Sequence, residues 1–282
     1  MPRTTSVVIP AHNEESVILR AIDGVLRDAN TGEFDVVVVC NGCSDSTADV
    51  ARSRSDVIVL EINEASKVAA LNAGDMATDV FPRVYLDADI EVDTQSLRLV
   101  RDALLTSPAA APLPRIDTTG ATLGVRAYFA IWSRLGYVNK NLLGSGVYAM
   151  SEAGRARFGR FPDLIADDGF VYCQFSAQER VNPPGATFTV RLPRTLTSVL
   201  KRRIRITAGN LELQQRTGRR PTPAGPGWRQ VVMANPRLLP AAPFYVAVNA
   251  IADIAARRRA RSGTRGPWSA DQSSRSGKAV AK

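Results

Sequence analysis

The sequence predicts an α/β fold with a mostly parallel central sheet flanked by helices, and three observations predict it. Four short runs rich in β-branched residues, 6–10, 34–39, 56–60 and 83–86, are apolar enough to be strands buried on both faces. Helical patterns separate them; the clearest puts Val17, Ile18, Ala21, Ile22, Val25 and Leu26 on one stripe. The resulting β-α-β order repeats, and parallel strands joined in this way need right-handed crossovers.

Each element follows from its residues. The run "SVVIP" ends at Pro10 and is followed by "AHNEES", where Asn13 is a good N-cap and Glu14 and Glu15 suit a helix N-terminus. Further helices fit residues 45–54, 67–76 and 94–106, the last capped by Asp93. After Pro114 the pattern loosens. Residues 122–143 read as one apolar and aromatic helix, "GSGVYAMS" as a strand, and "FPDLIADDGFVYCQF" as a loop entering a helix. A basic amphipathic helix follows, ending near Gly218. In "LLPAAPFYVAVNAIADIAARRR", Asn249 and Asp253 interrupt the apolar run, making it a poor membrane span. An interfacial helix ending in Arg257, Arg258 and Arg259 and a helix packed on the core both remain open.

The 282 residues suffice for one large α/β domain or two small ones. Three cysteines and no signal-like start point to a reducing, cytoplasmic setting. The net charge of +9 is unevenly spread: residues 201–282 hold 17 Lys or Arg against 3 acids. Such an asymmetry suits an anionic surface, membrane or nucleic acid. The tail lacks the interleaved aromatics of a single-strand binder, so a membrane is preferred and no nucleic acid is expected. The expected organisation is a catalytic domain over 1–218, with a nucleotide-binding half 1–115 and an acceptor half 116–218. A basic helical extension, 219–261, and a disordered tail, 262–282, complete it.

Ligands of such sheets bind at the carboxyl ends of the strands, where the polar clusters of this chain lie. "RVYLDADIEVD" ends a strand on Asp87 and Asp89. On an extended chain these side chains share a face about 6.6 Å apart and repel unless a cation intervenes; an Asp-rich turn is the plainer reading. Acids at 14 and 15 would repel a phosphate, and no glycine-rich dinucleotide or Walker loop is present. A neutral, hydroxyl-rich group such as a nucleoside fits better. Cys40 and Cys43 form C-x-x-C, but only Cys173 and His12 remain as soft ligands, too few for a plausible four-coordinate zinc site. Asn41-Gly42 then reads as a turn, with Ser44 or Asp45 capping the next helix. Lys67 opens a helix against its dipole, a position that calls for a phosphate or a carboxylate nearby.

Taken in order, "VVIPAHNEE", "NGCSDST", "KVAALNAG", "LDADI" and "ADDGF" resemble the large family two of inverting, nucleotide-sugar-dependent glycosyltransferases, over residues 4 to about 215. The resemblance implies a Rossmann-like glycosyltransferase-A fold. It puts nucleoside contacts at Pro10, Ala11, Asn13, Glu14, Cys40 and Asn41, with Lys67 near the diphosphate. Asp87 and Asp89 match the family's Asp-x-Asp motif, Asp89 binding Mg²⁺ or Mn²⁺ through the donor diphosphate. Asp167 and Asp168 match its Glu-Asp pair, the second member being the catalytic base. "GSGVYAMS" matches the acceptor-side segment. Cys40-Asn41 stands where the family often has Asp-Asp, which leaves the preferred nucleotide open. The Gln-x-x-Arg-Trp motif of processive synthases is absent, which implies single addition, and Arg203 and Arg205 fall in the corresponding region as diphosphate contacts. The implied activity moves a sugar from a nucleotide-sugar donor to a hydroxyl of a glycan or lipid-linked cell-envelope acceptor. The expected location is cytoplasmic, peripheral on the inner face of the plasma membrane. A sugar-phosphate nucleotidyltransferase and a non-catalytic membrane- or RNA-binding protein are the alternatives.

Overall fold

The computed structural model describes residues 5–140, 142–221 and 225–262. The chain forms two units, one taking the described residues of Met1–Arg115 and Asn141–Thr189, the other those of Ile116–Lys140 and Val190–Lys282. The division after 115 falls where the sequence pattern loosens. The expected boundary at 218 does not separate units, because the helix that ends there shares a unit with the helices after it. The expected tail, apart from Ser262, lies outside the described residues.

The first unit begins with alternating strands and helices: β1 (Thr5–Ala11), α1 (Ile18–Leu26), β2 (Phe34–Asn41), α2 (Thr47–Arg52), β3 (Val57–Ile62), α3 (Lys67–Met76) and β4 (Arg83–Leu86). Next come β5 (Glu91–Val92), α4 (Thr94–Ala103), β6 (Ala109–Ala110) and β7 (Leu113–Asp117). After α5 (Leu123–Trp132) and α6 (Gly136–Asn139) of the second unit, the chain continues with β8 (Val147–Met150), α7 (Glu152–Arg155), α8 (Asp167–Tyr172), β9 (Arg180–Val181) and β10 (Thr187–Arg191). The main sheet has the order β3-β2-β1-β4-β8-β6-β9, and a smaller one has the order β5-β10-β7. Strands β1 to β4 are parallel, and β8 is antiparallel to both β4 and β6. β1 and β2 are buried along their whole length, which explains their unbroken apolar runs.

An ion network fixes the amino end of β4 in this sheet. Asp75, near the end of α3, accepts from Arg83 (2.5 Å), Tyr85 (2.5 Å) and Arg155 (2.6 Å). Arg83 and Tyr85 are buried, and both Arg83 and the partly buried Arg155 share the one Asp75 carboxylate. The network ties α3 and β4 to α7, just beyond β8.

The second unit is helical. Residues 122–143 do not form one helix: α5 stops at Trp132, and Gly136 opens α6 with its backbone against Gly225 and Pro226, where a Cβ would stand 2.5–2.8 Å from them. α9 (Leu196–Thr217) ends at Gly218 in the left-handed conformation, as expected. It is followed by α10 (Trp228–Ala234), a 3-10 segment (Pro236–Ala241) and α11 (Ala242–Ser262). α11 packs on α9 and α5, burying Val248, Ala252 and Ala256. It leaves Phe244, Val246, Ile251 and Ile254 exposed.

Candidate active site

At the ends of β1 and β2 the chain turns sharply. Asn13 is not an N-cap; it sits at φ 55°, and its side-chain oxygen accepts from the Ser44 amide at 2.8 Å. Helix α1 starts only at Ile18, so Glu14 and Glu15 lie before it. The buried Glu14 donates its amide to Thr47 Oγ1 at 2.7 Å, while Glu15 accepts from the Ser46 amide at 3.0 Å. The "HNEE" segment is thus braced on the start of α2 instead of opening its own helix. Asp45 accepts from the Thr47 amide at 3.0 Å, which serves that start, although Ser46 is the N-cap residue.

Pro10, Ala11, Cys40 and Asn41 close the two strands. Gly42 follows at φ 58°, where a Cβ would lie 2.8 Å from Ala65. The His12 ring meets the Asn41 carbonyl at 2.6 Å. Cys43 Sγ donates to the Ala11 carbonyl at 3.4 Å, and burial pushes the Cys40 thiol up to about 12. All three cysteines are free.

β4 ends at Leu86, and the aspartates lie in a turn closed by the Ile90 amide on the Asp87 carbonyl at 3.0 Å. This corrects the extended-chain geometry expected for Asp87 and Asp89. A cation does lie between two carboxylates of the site, but these are Asp87 and Asp167, and the cation is Lys67. Its Nζ lies 2.7 Å from Asp87 Oδ1 and 3.1 Å from Asp167 Oδ2, at the first position of α3. Those two acids are what its unfavourable place on the helix dipole required. Asp167 is only 5% exposed; burial pushes its carboxyl up to about 6, with Lys67 opposing and Asp168 and Asp87 adding to the rise.

Asp168 stands differently. It is partly exposed, and its two oxygens accept from the amides of Gly169 (2.7 Å) and Ser145 (3.3 Å). The Ser145 amide belongs to a loop, Gly144-Ser145-Gly146, with φ of 110°, 65° and 101°. A Cβ on Gly144 would lie 2.9 Å from Asp168, and one on Gly146 3.4 Å from Asp87 Oδ2. The glycines let this loop lie directly on both aspartates, and the Gly146 carbonyl accepts from the Asp87 amide at 2.7 Å.

Sequence reasoning missed two contributors. Asn72 of α3, buried, bonds the backbone of Phe161 twice, at 2.8 and 3.1 Å, pinning the segment that leads to α8. A polar residue inside the apolar face of α3 was the available signal. Tyr148, paired with Tyr85 across β8 and β4, stacks on it at 5.0 Å. Its hydroxyl is buried without a hydrogen bond among the described residues, and Asp167, Asp168 and Asp87 add to the upward push of burial on its pKa. Arg203 and Arg205 lie on α9 in the second unit, Arg203 lining a cavity there.

The described residues hold no group of three or more His, Cys, Asp or Glu able to bind a metal. Asp87 and Asp89 supply carboxylate oxygens only, a donor set that fits a hard divalent cation whose other ligands are phosphate or water oxygens. Asp89 has no side-chain partner among the described residues.

Ligands of α/β sheets bind beyond the carboxyl ends of the strands, and there Asp87, after β4, and Asp167, on α8, share Lys67 with Asp168 beside them. The chain belongs to glycosyl transferase family 2, whose profile matches residues 6–155. It is a glycosyltransferase. No curated protein matches its sequence. Among solved structures it is similar to the mannosyltransferase PcManGT of Pyrobaculum calidifontis, in complex with GDP-Man and Mn²⁺. That likeness has 21% identity and a TM-score of 0.61 over 94% of this chain and 82% of that one. It is also similar to Mycobacterium tuberculosis glucosyl-3-phosphoglycerate synthase with Mn²⁺, UDP and glucosyl-3-phosphoglycerate (22%, TM-score 0.53, 77% and 80% covered). Staphylococcus aureus TarS 1–349 with UDP is a third (13%, TM-score 0.52, 93% and 92% covered). These likenesses establish the glycosyltransferase-A fold.

Proposed function

We propose that the chain transfers a sugar from a nucleotide-sugar donor to an acceptor hydroxyl, with inversion at the anomeric carbon and Asp168 as the base. The observation that carries this is the division of labour between neighbouring aspartates. Asp167 is buried and committed to Lys67, whereas Asp168 is partly open and held by two amides. A base must reach its proton within hydrogen-bond distance, and only Asp168 is open to an acceptor. It accepts the hydroxyl proton as the oxygen attacks the anomeric carbon, and the bond to the diphosphate breaks on the opposite face. The ends of β1 and β2, with Pro10, Ala11, Asn13, Glu14, Cys40 and Asn41, receive the nucleoside, and Lys67 faces the diphosphate. Mg²⁺ or Mn²⁺, held by Asp89 and Asp87, would stabilise charge on the departing diphosphate. Two of the similar structures support this reading, since each holds Mn²⁺ together with a nucleotide or nucleotide sugar.

The acceptor class follows from the second unit: the apolar outer side of α11 suits a peripheral protein at an anionic membrane surface, and so an envelope or lipid-linked acceptor. The test is a screen of nucleotide sugars with Mg²⁺ or Mn²⁺, reading nucleoside diphosphate release and, by NMR, the product anomer. Retention of configuration would exclude Asp168 as a base in a single displacement. Release from no donor at all would exclude the reaction.

A further inference from the structure

Between α9 and α11 lies a cavity of about 250 Å³, lined chiefly by Arg203, Arg220, Asn249, Asp253 and Arg257, with Leu211 as its one apolar wall. Three arginines face one carboxylate. Arg257 is within 2.8 Å of Asp253, and the lining as a whole carries more positive than negative charge. Arg203 Nε is buried without a hydrogen bond among the described residues, a donor that burial leaves in deficit. Guanidinium groups of this kind match phosphate oxygens in shape as well as charge.

The surface beside the cavity narrows the phosphate. Asn249, Asp253 and Arg257 succeed one another at four-residue spacing along one side of α11. At about 100° per residue, the next positions round the helix are Ala250 and Ile254, then Ala247 and Ile251. Ile251 and Ile254 are 50% and 54% exposed, and Phe244 extends the same outward surface. From Pro236 to Ala260 the helical segment is apolar enough to pass as a membrane span, yet only 22% of its most apolar window is buried. A cationic polar cavity bordered directly by an exposed apolar stripe has the layout of a site for an amphiphile.

We infer that this cavity holds the phosphate of an anionic phospholipid headgroup while the Phe244–Ile251–Ile254 side of α11 lies in the acyl boundary of the same membrane. The inference rests on the membrane-surface reading of α11 and adds a specific headgroup site to it. α11 then lies in the interface without crossing the bilayer: its inner side is already committed to α9 and α5. Exposed Arg258 and Arg259 add charge over neighbouring headgroups.

The test uses the full-length chain and sedimentation with vesicles of pure phosphatidylcholine or of phosphatidylcholine containing phosphatidylglycerol. Binding is expected only with phosphatidylglycerol. The Arg220→Gln/Arg257→Gln variant should bind about 30-fold more weakly, from roughly 1 kcal/mol per arginine. Ile251→Asp/Ile254→Asp should abolish binding; all four positions lie on the surface of the unit, and circular dichroism checks folding. Inorganic phosphate binding the chain at millimolar levels without vesicles, and lost in the arginine variant, would make the cavity a free-anion site and overturn the lipid assignment. Full binding by the arginine variant would overturn the headgroup site but leave the membrane reading standing. Absence of wild-type binding to any vesicle would overturn both. A stable dimer that the isoleucine variant dissociates would overturn the lipid contact and assign the stripe to a second copy.

Discussion

Replacing Lys67 by methionine removes the one charge set between Asp87 and Asp167 while keeping most of the side chain's length. The Asp167 carboxyl already sits at about 6, above its ordinary 3.8, because burial outweighs Lys67. A carboxyl raised in the folded state binds more protons there than in the unfolded chain. Stability therefore falls as pH rises from about 4 to 6. Without Lys67 the folded value moves further up, and the fall continues to higher pH. At pH 5 Asp167 is mostly protonated in both proteins. Above pH 6 only the wild type ionises it cheaply, and each further pH unit is worth about 1.4 kcal/mol. The stability gap should therefore widen by about 1–2 kcal/mol between pH 6 and pH 8. The two tryptophans among the described residues, Trp132 and Trp228, lie in the second unit, so fluorescence would not report on this site. Urea unfolding followed by far-UV circular dichroism, at pH 5, 6, 7 and 8, does. The double variant Lys67→Met/Asp167→Asn should show no widening. Parallel pH curves for wild type and Lys67→Met would refute the assignment of Asp167 as the group whose charge Lys67 holds.

Asp168→Asn should lower transfer by about 10²–10⁴ with donor affinity near wild type, and Asp167→Asn by less; isothermal titration with the donor separates the two effects. Asp89→Ala, and excess chelator on the wild type, should each abolish turnover without unfolding, so full activity in chelator would remove Asp89 from that role. Tyr148→Phe deletes a buried hydroxyl that lacks a partner, and thermal unfolding should show equal or higher stability; a loss above about 1 kcal/mol would mean the hydroxyl is bonded in solution. Arg98 and a backbone bond hold Glu33 down at about 2, so stability it supplies above pH 4.5 should disappear as pH falls towards 2. Acid titration of unfolding checks this, and Glu33→Gln should flatten that acid limb.

β1 and β2 were legible because both faces of each strand are covered by protein: an unbroken Val run has no other sensible home. Asp93 was legible as a cap because its effect is local, and it accepts from the Ser96 amide at 2.6 Å. Asn13 was not. Its composition suits a cap, but Thr47, Asp45 and Ser44 offer bonds from 30 or so residues away, and these tertiary partners hold the segment off the helical path. The turn at Asp87 was hidden for the same reason. Whether "LDADI" stays extended depends on Gly146, 59 residues on, which receives the Asp87 amide. At the site, the order of the motifs pointed to Asp87, Asp89, Asp167 and Asp168, and the family resemblance alone ranked Asp168 over Asp167 as base. The burial of Asp167 against Lys67 and the partial exposure of Asp168 are what two identical adjacent residues cannot express.

The charge balance of the site constrains the reaction independently of any motif. Asp87 and Asp167 share the Lys67 ammonium, Asp168 adjoins Asp167, and Asp89 lies in the same turn as Asp87. A nucleoside diphosphate sugar brings two more negative charges, and a carboxylate and a phosphate about 4 Å apart oppose each other by several kcal/mol where the effective dielectric is near 20. Protonating Asp167 relieves only one carboxylate, and it does so only near pH 6. At neutral pH the donor therefore has to arrive with its own countercharge, and a divalent cation brings two positive charges at a separation from oxygen no side chain can match. Asp89, with no protein partner among the described residues, is the carboxylate left to receive it. Lys67 cannot substitute, because moving it wholly to the diphosphate would strand the buried Asp167. On the proposed reaction, metal dependence is the expected consequence of acids that outnumber the one lysine among them, and Asp89→Ala should cost turnover by loosening the cation even though it removes a negative charge.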